Sequence, residues 1–223
     1  MSTALDVPLH SIVYLYEVNL MLTIGITGGS GCGKSTVSEL FCSKHGAHAI
    51  DADSVYHKLL NESQDMMREL RARFPEACEN GKLNRRTLAS IVFSDVEALT
   101  DLNRIAHKFV IAETEREMAR LYEQNAAYLC IDAIALFESG LSGICDVTIG
   151  VTAPRKLRCE RIMSRDGIDS MAASARINAQ PEDSFYAERC DYMIENSGDI
   201  ELVENEVNRI FNVITKGPEK DNE

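Results

Sequence analysis

The sequence predicts an α/β fold: three layers, with helices on both faces of a parallel sheet of about five strands, extended by a helical substrate domain and a helical lid. Three observations predict it. A glycine-rich turn, residues 28–35, follows an apolar run and opens a helical pattern. Two later apolar runs each end in an aspartate. Between and beyond them lie stretches whose apolar residues recur at helical spacing.

The first strand is expected over residues 22–26. Residues 25–36 read GITGGSGCGKST, in which Gly28, Gly33, Lys34 and Ser35 satisfy G-x-x-x-x-G-K-[ST]. Strand, loop and helix in that order make the fold a P-loop NTPase type of three-layer αβα. Successive backbone N–H groups of such a loop turn inward around phosphate oxygens, Lys34 reaches the terminal phosphates and the Ser35 hydroxyl suits Mg²⁺. The expected ATP site is therefore Gly28, Gly29, Ser30, Gly31, Cys32, Gly33, Lys34, Ser35 and Thr36. A helix over residues 36–43 adds partial positive charge where the phosphates sit.

The second strand, residues 47–50, ends at Asp51, and a third, residues 127–131, ends at Asp132. Ligands of open parallel sheets gather at the carboxyl ends of strands, so Asp51, Asp53 and Asp132 belong on the edge that carries the loop. Either Asp51 or Asp53 can cap the helix that follows, and either can accept or orient the proton of an acceptor hydroxyl. Asp132 suits a carboxylate that orients Mg²⁺, directly or through water, and plain capping suits it equally. Residues 147–151 and 192–195 complete the sheet.

Helical stretches at 53–60, 65–74, 85–93 and 95–124, broken by Pro75 and a turn at 79–81, form an insertion of about residues 54–124 that can wall off a second substrate. Residues 154–188 read as a helix-turn-helix lid, interrupted at Asp166-Gly167 and at Pro181. Arg158, Arg161 and Arg165 share one helical face, with Arg155 a turn earlier. Between residues 154 and 176 six basic side chains face three acidic ones, in a chain of net charge −12. That local reversal of sign suits a lid that meets phosphate, although a charged helix face is often only solvated. Arg165, beside the Asp166-Gly167 hinge, is the lid candidate for clamping the transferred phosphoryl group. The segment LSGI at 141–144 reads as a loop, and no NKxD sequence supports guanine selectivity.

The net charge of −12 argues against a nucleic-acid surface. Seven cysteines without C-x-x-C spacing, one of them inside the phosphate loop, read as packing residues of a reducing, cytoplasmic compartment. No zinc site, membrane span or secretory leader is expected. Residues 1–20 read as an N-terminal extension with Met21 a candidate initiator, residues 21–216 as the domain, and 217–223 as a disordered tail. A monomer acting on small molecules is favoured.

Taken in order, GITGGSGCGKST, IDADSV (50–55), GKLNRRTLASIVFSD (81–95), LNRIAHKFV (102–110), IDAIALFESGL (131–141), RIMSRDGI (161–168), RINAQ (176–180) and DYMIENSG (191–198) resemble the dephospho-CoA kinase family over residues 22–210. The resemblance implies ATP-dependent phosphorylation of the ribose 3′-hydroxyl of dephospho-coenzyme A, with ATP and Mg²⁺ required and coenzyme A and ADP as products. It implies Asp53 as base, Arg165 as the lid arginine and Asn196 near the nucleotide base; with Lys34 of the loop as a further catalytic residue and Arg161 of the lid stripe at ATP, these complete the expected site. The insertion becomes the coenzyme A domain. Ile134 and Lys108 stand where the family has proline, and Arg158 where it has glutamine, either as an added phosphate contact or as surface. Alternatives are a kinase for another small alcohol, such as a nucleoside or nucleoside monophosphate, and a non-catalytic nucleotide-dependent regulatory module.

Overall fold

A computed structural model describes residues 21–79 and 82–216, so the expected N-terminal extension, the tip of the turn at 80–81 and the tail lie outside the described residues. In chain order the elements are β1 (Leu22–Thr27), α1 (Lys34–His45), β2 (His48–Asp51), α2 (Ala52–Glu62), α3 (Gln64–Arg73), β3 (Cys78–Glu79), β4 (Lys82–Leu83), α4 (Arg85–Ser94) and α5 (Val96–Glu123). Then follow β5 (Tyr128–Asp132), β6 (Val147–Thr152), α6 (Arg155–Asp166), α7 (Ser170–Asn178), α8 (Asp183–Ala187), β7 (Tyr192–Glu195) and α9 (Ile200–Lys216).

Five strands form one parallel sheet in the order β2-β5-β1-β6-β7. Its register decides where chemistry can sit: Asp51 pairs with Asp132 on β5, and Asp132 in turn with Ile26 on β1, so both carboxylates lie side by side on one flank of the strand that feeds the glycine turn. Alternation along β5 sends Leu129 and Ile131 into one core and Cys130 into the other. The first core takes α2 to α5, with Met66, Leu70 and Phe74 fully buried; the second takes α1 and α9.

Capping side chains mark most helix starts. Ser63 ends α2 and accepts the Met66 N–H at 3.2 Å to begin α3; Asn84 and Asp95 accept first-turn N–H groups of α4 and α5. Each such cap contributes about 0.5–2 kcal/mol. The expected hinge at Asp166-Gly167 is a helix C-cap, Gly167 having φ of 65°.

Three features differ from the sequence reading. LSGI is a 3-10 helix, not a loop, because Leu141 is drawn into the core beneath β5 and tightens the turn. The helix α9 was not anticipated: its buried Val203, Val207 and Ile210 recur at i, i+4 and i+7, and Phe211 stacks on His45 at 3.8 Å between ring centroids. On either side of residues 80–81, β3 and β4 pair as a small antiparallel ribbon. Lys108 leaves α5 unbroken, as its backbone N–H permits, and pairs with Glu69 at 2.6 Å.

Candidate active site

The glycine turn between β1 and α1 lines one side of a cavity of about 270 Å³ with Ser30, Gly31, Gly33, Lys34, Ser35 and Thr36. Across it stand Asp51 and Asp132 from the ends of β2 and β5, Asp53 from the first turn of α2, and Ile134; Arg161 and Arg165 reach in from α6. Gly33 is held at φ 96°, and the Asn196 amide lies where its Cβ would be, so no side chain fits there.

Each carboxylate has a different employment. Asp51 is the N-cap of α2: its Oδ1 accepts the N–H groups of Asp53 and Ser54 at 2.9 and 3.2 Å, and its Oδ2 accepts the Ser54 hydroxyl at 2.9 Å. Asp132 accepts the Ser35 hydroxyl at 3.2 Å and lies 3.8 Å from Lys34 Nζ. Burial pushes its acidity down, raising its pKa, while Lys34 opposes the shift. Asp53 accepts no hydrogen bond among the described residues. The cavity walls crowd it and Asp51 repels it, so its pKa is raised despite the attraction of Lys34, His57 and Arg165. The capping duty shared out between Asp51 and Asp53 in the sequence thus falls to Asp51, and Asp53 keeps both oxygens for a ligand.

The arginine stripe divides by depth, because the start of α6 lies behind the glycine turn while its last turn overhangs the cavity. Arg155 pairs with Asn178 in solvent at 2.7 Å, and Arg158 is buried, not surface. Arg161 donates to the carbonyls of Gly31 and Cys32, both at 3.2 Å, and to Asn196 Oδ1 at 2.9 Å. Arg165 is gripped by both oxygens of Asp166, at 2.8 and 3.0 Å, and Asp166 also takes Arg176. The two guanidinium groups pull the Asp166 carboxyl down to about 2.

Gly28, Gly29, Cys32 and Asn196 do not line the cavity. Gly28 abuts the Val151 carbonyl, Gly29 the Arg158 guanidinium, and Asn196 is engaged by Arg161. The Cys32 thiol points into the core, where burial raises its pKa.

A second cavity, about 220 Å³, opens on the other side of Asp53. Tyr56, Asn103, His107 and Ser139 supply its polar groups, and Val110 and Leu141 part of its apolar wall. Burial lowers the His107 pKa against the pull of Glu138, which keeps the imidazole neutral near pH 7. Asp53 is the one charged residue in this lining. The sequence reading passed over these residues, although Asn103, Ala106, His107 and Val110 fall at i, i+3, i+4 and i+7 of one helix, a face visible in the sequence. A larger depression of about 560 Å³, between Asn61 and Arg71, contains no residue of the glycine turn.

A family model described as dephospho-CoA kinase matches residues 22–201, most of the chain and every element that builds the two cavities. The chain belongs to the dephospho-CoA kinase family. Among curated members, the dephospho-CoA kinase of Syntrophotalea carbinolica is 36% identical over 84% of this chain and 89% of its own length. That of Thermus thermophilus is 34% identical over 91% and 96%, and that of Saccharomyces cerevisiae 32% over 85% and 83%. The crystal structure of TT1252 from Thermus thermophilus matches at TM-score 0.74 and 33% identity over 87% of this chain and 98% of that one. The dephospho-CoA kinase of Campylobacter jejuni matches at 0.60 and 26%, over 89% and 99%. A shikimate kinase from Acinetobacter baumannii, at TM-score 0.53 and 14% identity, shares the fold alone. No described helix of this dephospho-CoA kinase family member is long and apolar enough to cross a membrane.

Proposed function

We propose that this chain transfers the γ-phosphoryl group of ATP to the ribose 3′-hydroxyl of dephospho-coenzyme A, the last step of coenzyme A synthesis. The observation that carries the reading is one unengaged carboxylate, Asp53, standing between a loop-lined polar cavity and a neutral second cavity. In this reading ATP lies in the first cavity, its phosphates on Lys34 and on those N–H groups of the glycine turn that face the cavity and have no partner among the described residues, with Arg161 and Asn196 behind. The acceptor ribose lies over Asp53, with the rest of the acceptor against the helices of residues 54–124.

The acceptor oxygen forms its bond to the γ-phosphorus as the bond to the β–γ bridging oxygen breaks. The hydroxyl proton passes to Asp53 and ADP departs. Since the transferred group is loosely bonded at the crest of the barrier, alignment by Asp53 matters more than its basicity. Lys34 and Arg165 neutralise charge on the transferred oxygens, and the lid of residues 154–188 excludes water that would otherwise take the phosphoryl group. The hard oxygens of Ser35 and Asp132, already within hydrogen-bond reach of each other, fit Mg²⁺, with Ser35 as ligand and Asp132 acting through water. Bound there, the ion would neutralise phosphate charge.

All seven cysteines are free, which suits a reducing cytoplasm, and both cavities lie within one chain, so a monomer suffices. A coupled assay of ADP release tests the reading. We expect turnover dependent on dephospho-coenzyme A, and far slower turnover with nucleosides or nucleoside monophosphates. Folded protein that releases ADP no faster when dephospho-coenzyme A is added would refute it.

A further inference from the structure

The glycine turn is shaped from outside as well as by its own sequence. Behind it sits Arg158, only 5% exposed. Its Nε donates to the Ser30 carbonyl at 3.0 Å, and its Nη1 lies 3.4 Å from Asp183 Oδ1 on α8. The Nη2 has no hydrogen-bond partner among the described residues and rests against Gly29, where a Cβ would collide with it. A Cβ on Gly31 would stand 2.6 Å from the Arg158 carbonyl oxygen and 3.0 Å from its Cα. The loop is wrapped around this residue.

From the other limb of the lid, Gln180 takes the same serine. Its Oε1 accepts the Ser30 N–H at 2.8 Å and its Nε2 donates to the Ser30 hydroxyl at 3.0 Å. Both backbone groups of Ser30 are thereby committed to the lid, and the neighbouring N–H groups of the turn are the ones left for an anion.

We infer that Arg158 is a positioning residue for nucleotide binding: it fixes the Ser30 peptide, together with Gln180, and sets a positive charge directly behind the phosphate cradle. The charge is the informative part. A buried guanidinium whose acidic partner is exposed and at the limit of hydrogen-bond distance costs more than a neutral side chain of its size, so as a mere prop arginine is a poor choice. A polyphosphate in the loop supplies the missing counter-charge across one layer of backbone. Because α6 and the segment just after α7 grip one residue, the seating of the phosphates and the stance of the lid are mechanically joined at Ser30.

This inference rests on the nucleotide reading above. The test is calorimetric titration of Mg·ADP, together with melting curves, on wild type, Arg158→Met and Arg158→Lys. Methionine keeps much of the bulk and removes donors and charge. Its ADP Kd is expected to rise by about tenfold or more, as for loss of a charge-assisted hydrogen bond. Lysine, which keeps the charge and a donor without the fork, is expected to recover part of the loss. An Arg158→Met protein that melts lower yet binds ADP within about twofold of wild type would overturn the inference, as would an equal loss of affinity in Arg158→Lys. Should the methionine variant not fold, Gln180→Ala removes the second grip on Ser30 and is expected to weaken ADP about threefold, unchanged affinity being the refuting result. Wild-type protein that binds no ADP would overturn both this inference and the nucleotide reading.

Discussion

Replacing Asp53 by asparagine removes a charge while keeping shape, and the structure sets opposite signs for its effects on rate and stability. Asp53 neither caps α2, a task held by Asp51, nor accepts a hydrogen bond among the described residues, so the substitution breaks no fold contact. Its pKa is raised, first by the crowding of the cavity walls and then by Asp51. A carboxyl with a raised folded-state pKa favours the folded state in its protonated form and opposes it once ionised. Above that pKa the native aspartate therefore costs stability, and asparagine relieves the cost. Solvent in the cavity screens the interaction, so the gain at pH 7 is at most about 1 kcal/mol, or about 2–4 °C in Tm. Turnover moves the other way. Loss of a positioned proton acceptor lowers kcat by about 10² to 10⁴, and the loose transfer favours the lower end, near 10² or about 3 kcal/mol. Differential scanning calorimetry beside the coupled ADP assay reads both. Turnover within tenfold of wild type would remove the proton-acceptor assignment, and a fall in Tm of several degrees would show that the residue supports the fold instead.

The same raised pKa makes the acid limb of the kcat/KM profile fall at a higher pH than an ordinary carboxylate would give, since the ionised form of Asp53 is lost as pH drops through it; a pH–rate series in which the limb sits at the ordinary aspartate value would contradict this. Gly33→Ala forces a side chain onto φ 96° and against Asn196, so ADP affinity measured by titration should fall by at least about tenfold while circular dichroism stays native. Leu70→Ala, in the fully buried core beneath α5, should cost about 2–5 kcal/mol in urea unfolding. Thr114 is fully buried and its hydroxyl has no partner among the described residues, so Thr114→Val should leave stability unchanged or raise it by about 1 kcal/mol, a clear loss indicating a partner for that hydroxyl.

How much was legible beforehand followed from how local each cause is. The strand ending at Asp132 was readable because a parallel strand buried on both faces is a continuous apolar run whose end is marked by its first charge; β2 is a mostly exposed edge strand, readable only from the short run before Asp51. Helix starts were readable within a residue or two at Ser63, Asn84 and Asp95, where a short polar side chain precedes an amphipathic stretch. The last helix, α9, went unrecognised although Val203, Val207 and Ile210 carry the helical period and Asp199 offers a cap, its Oδ1 accepting the Glu201 N–H at 3.0 Å, because no motif drew attention to a stretch beyond the last strand. Tyr56 and His107 were missed as partners of Asp53 for a different reason: they share a cavity only because α2 and α5 pack together.

By itself the sequence determined the glycine turn, since the geometry of that turn depends on which positions lack a Cβ and which bear Lys34 and Ser35. It also determined the sheet class and, through eight ordered segments, the family. Tertiary structure decided the division of labour. Sheet register put Asp51 beside Asp132, a cap bound one aspartate and left its near neighbour free, and the lie of α6 turned a single stripe of arginines into a buried buttress at Arg158 and a cavity-facing group at Arg165. Spacing along a chain says which side chains can share a face, whereas burial and competition for hydrogen-bond partners are settled only when another element packs against that face.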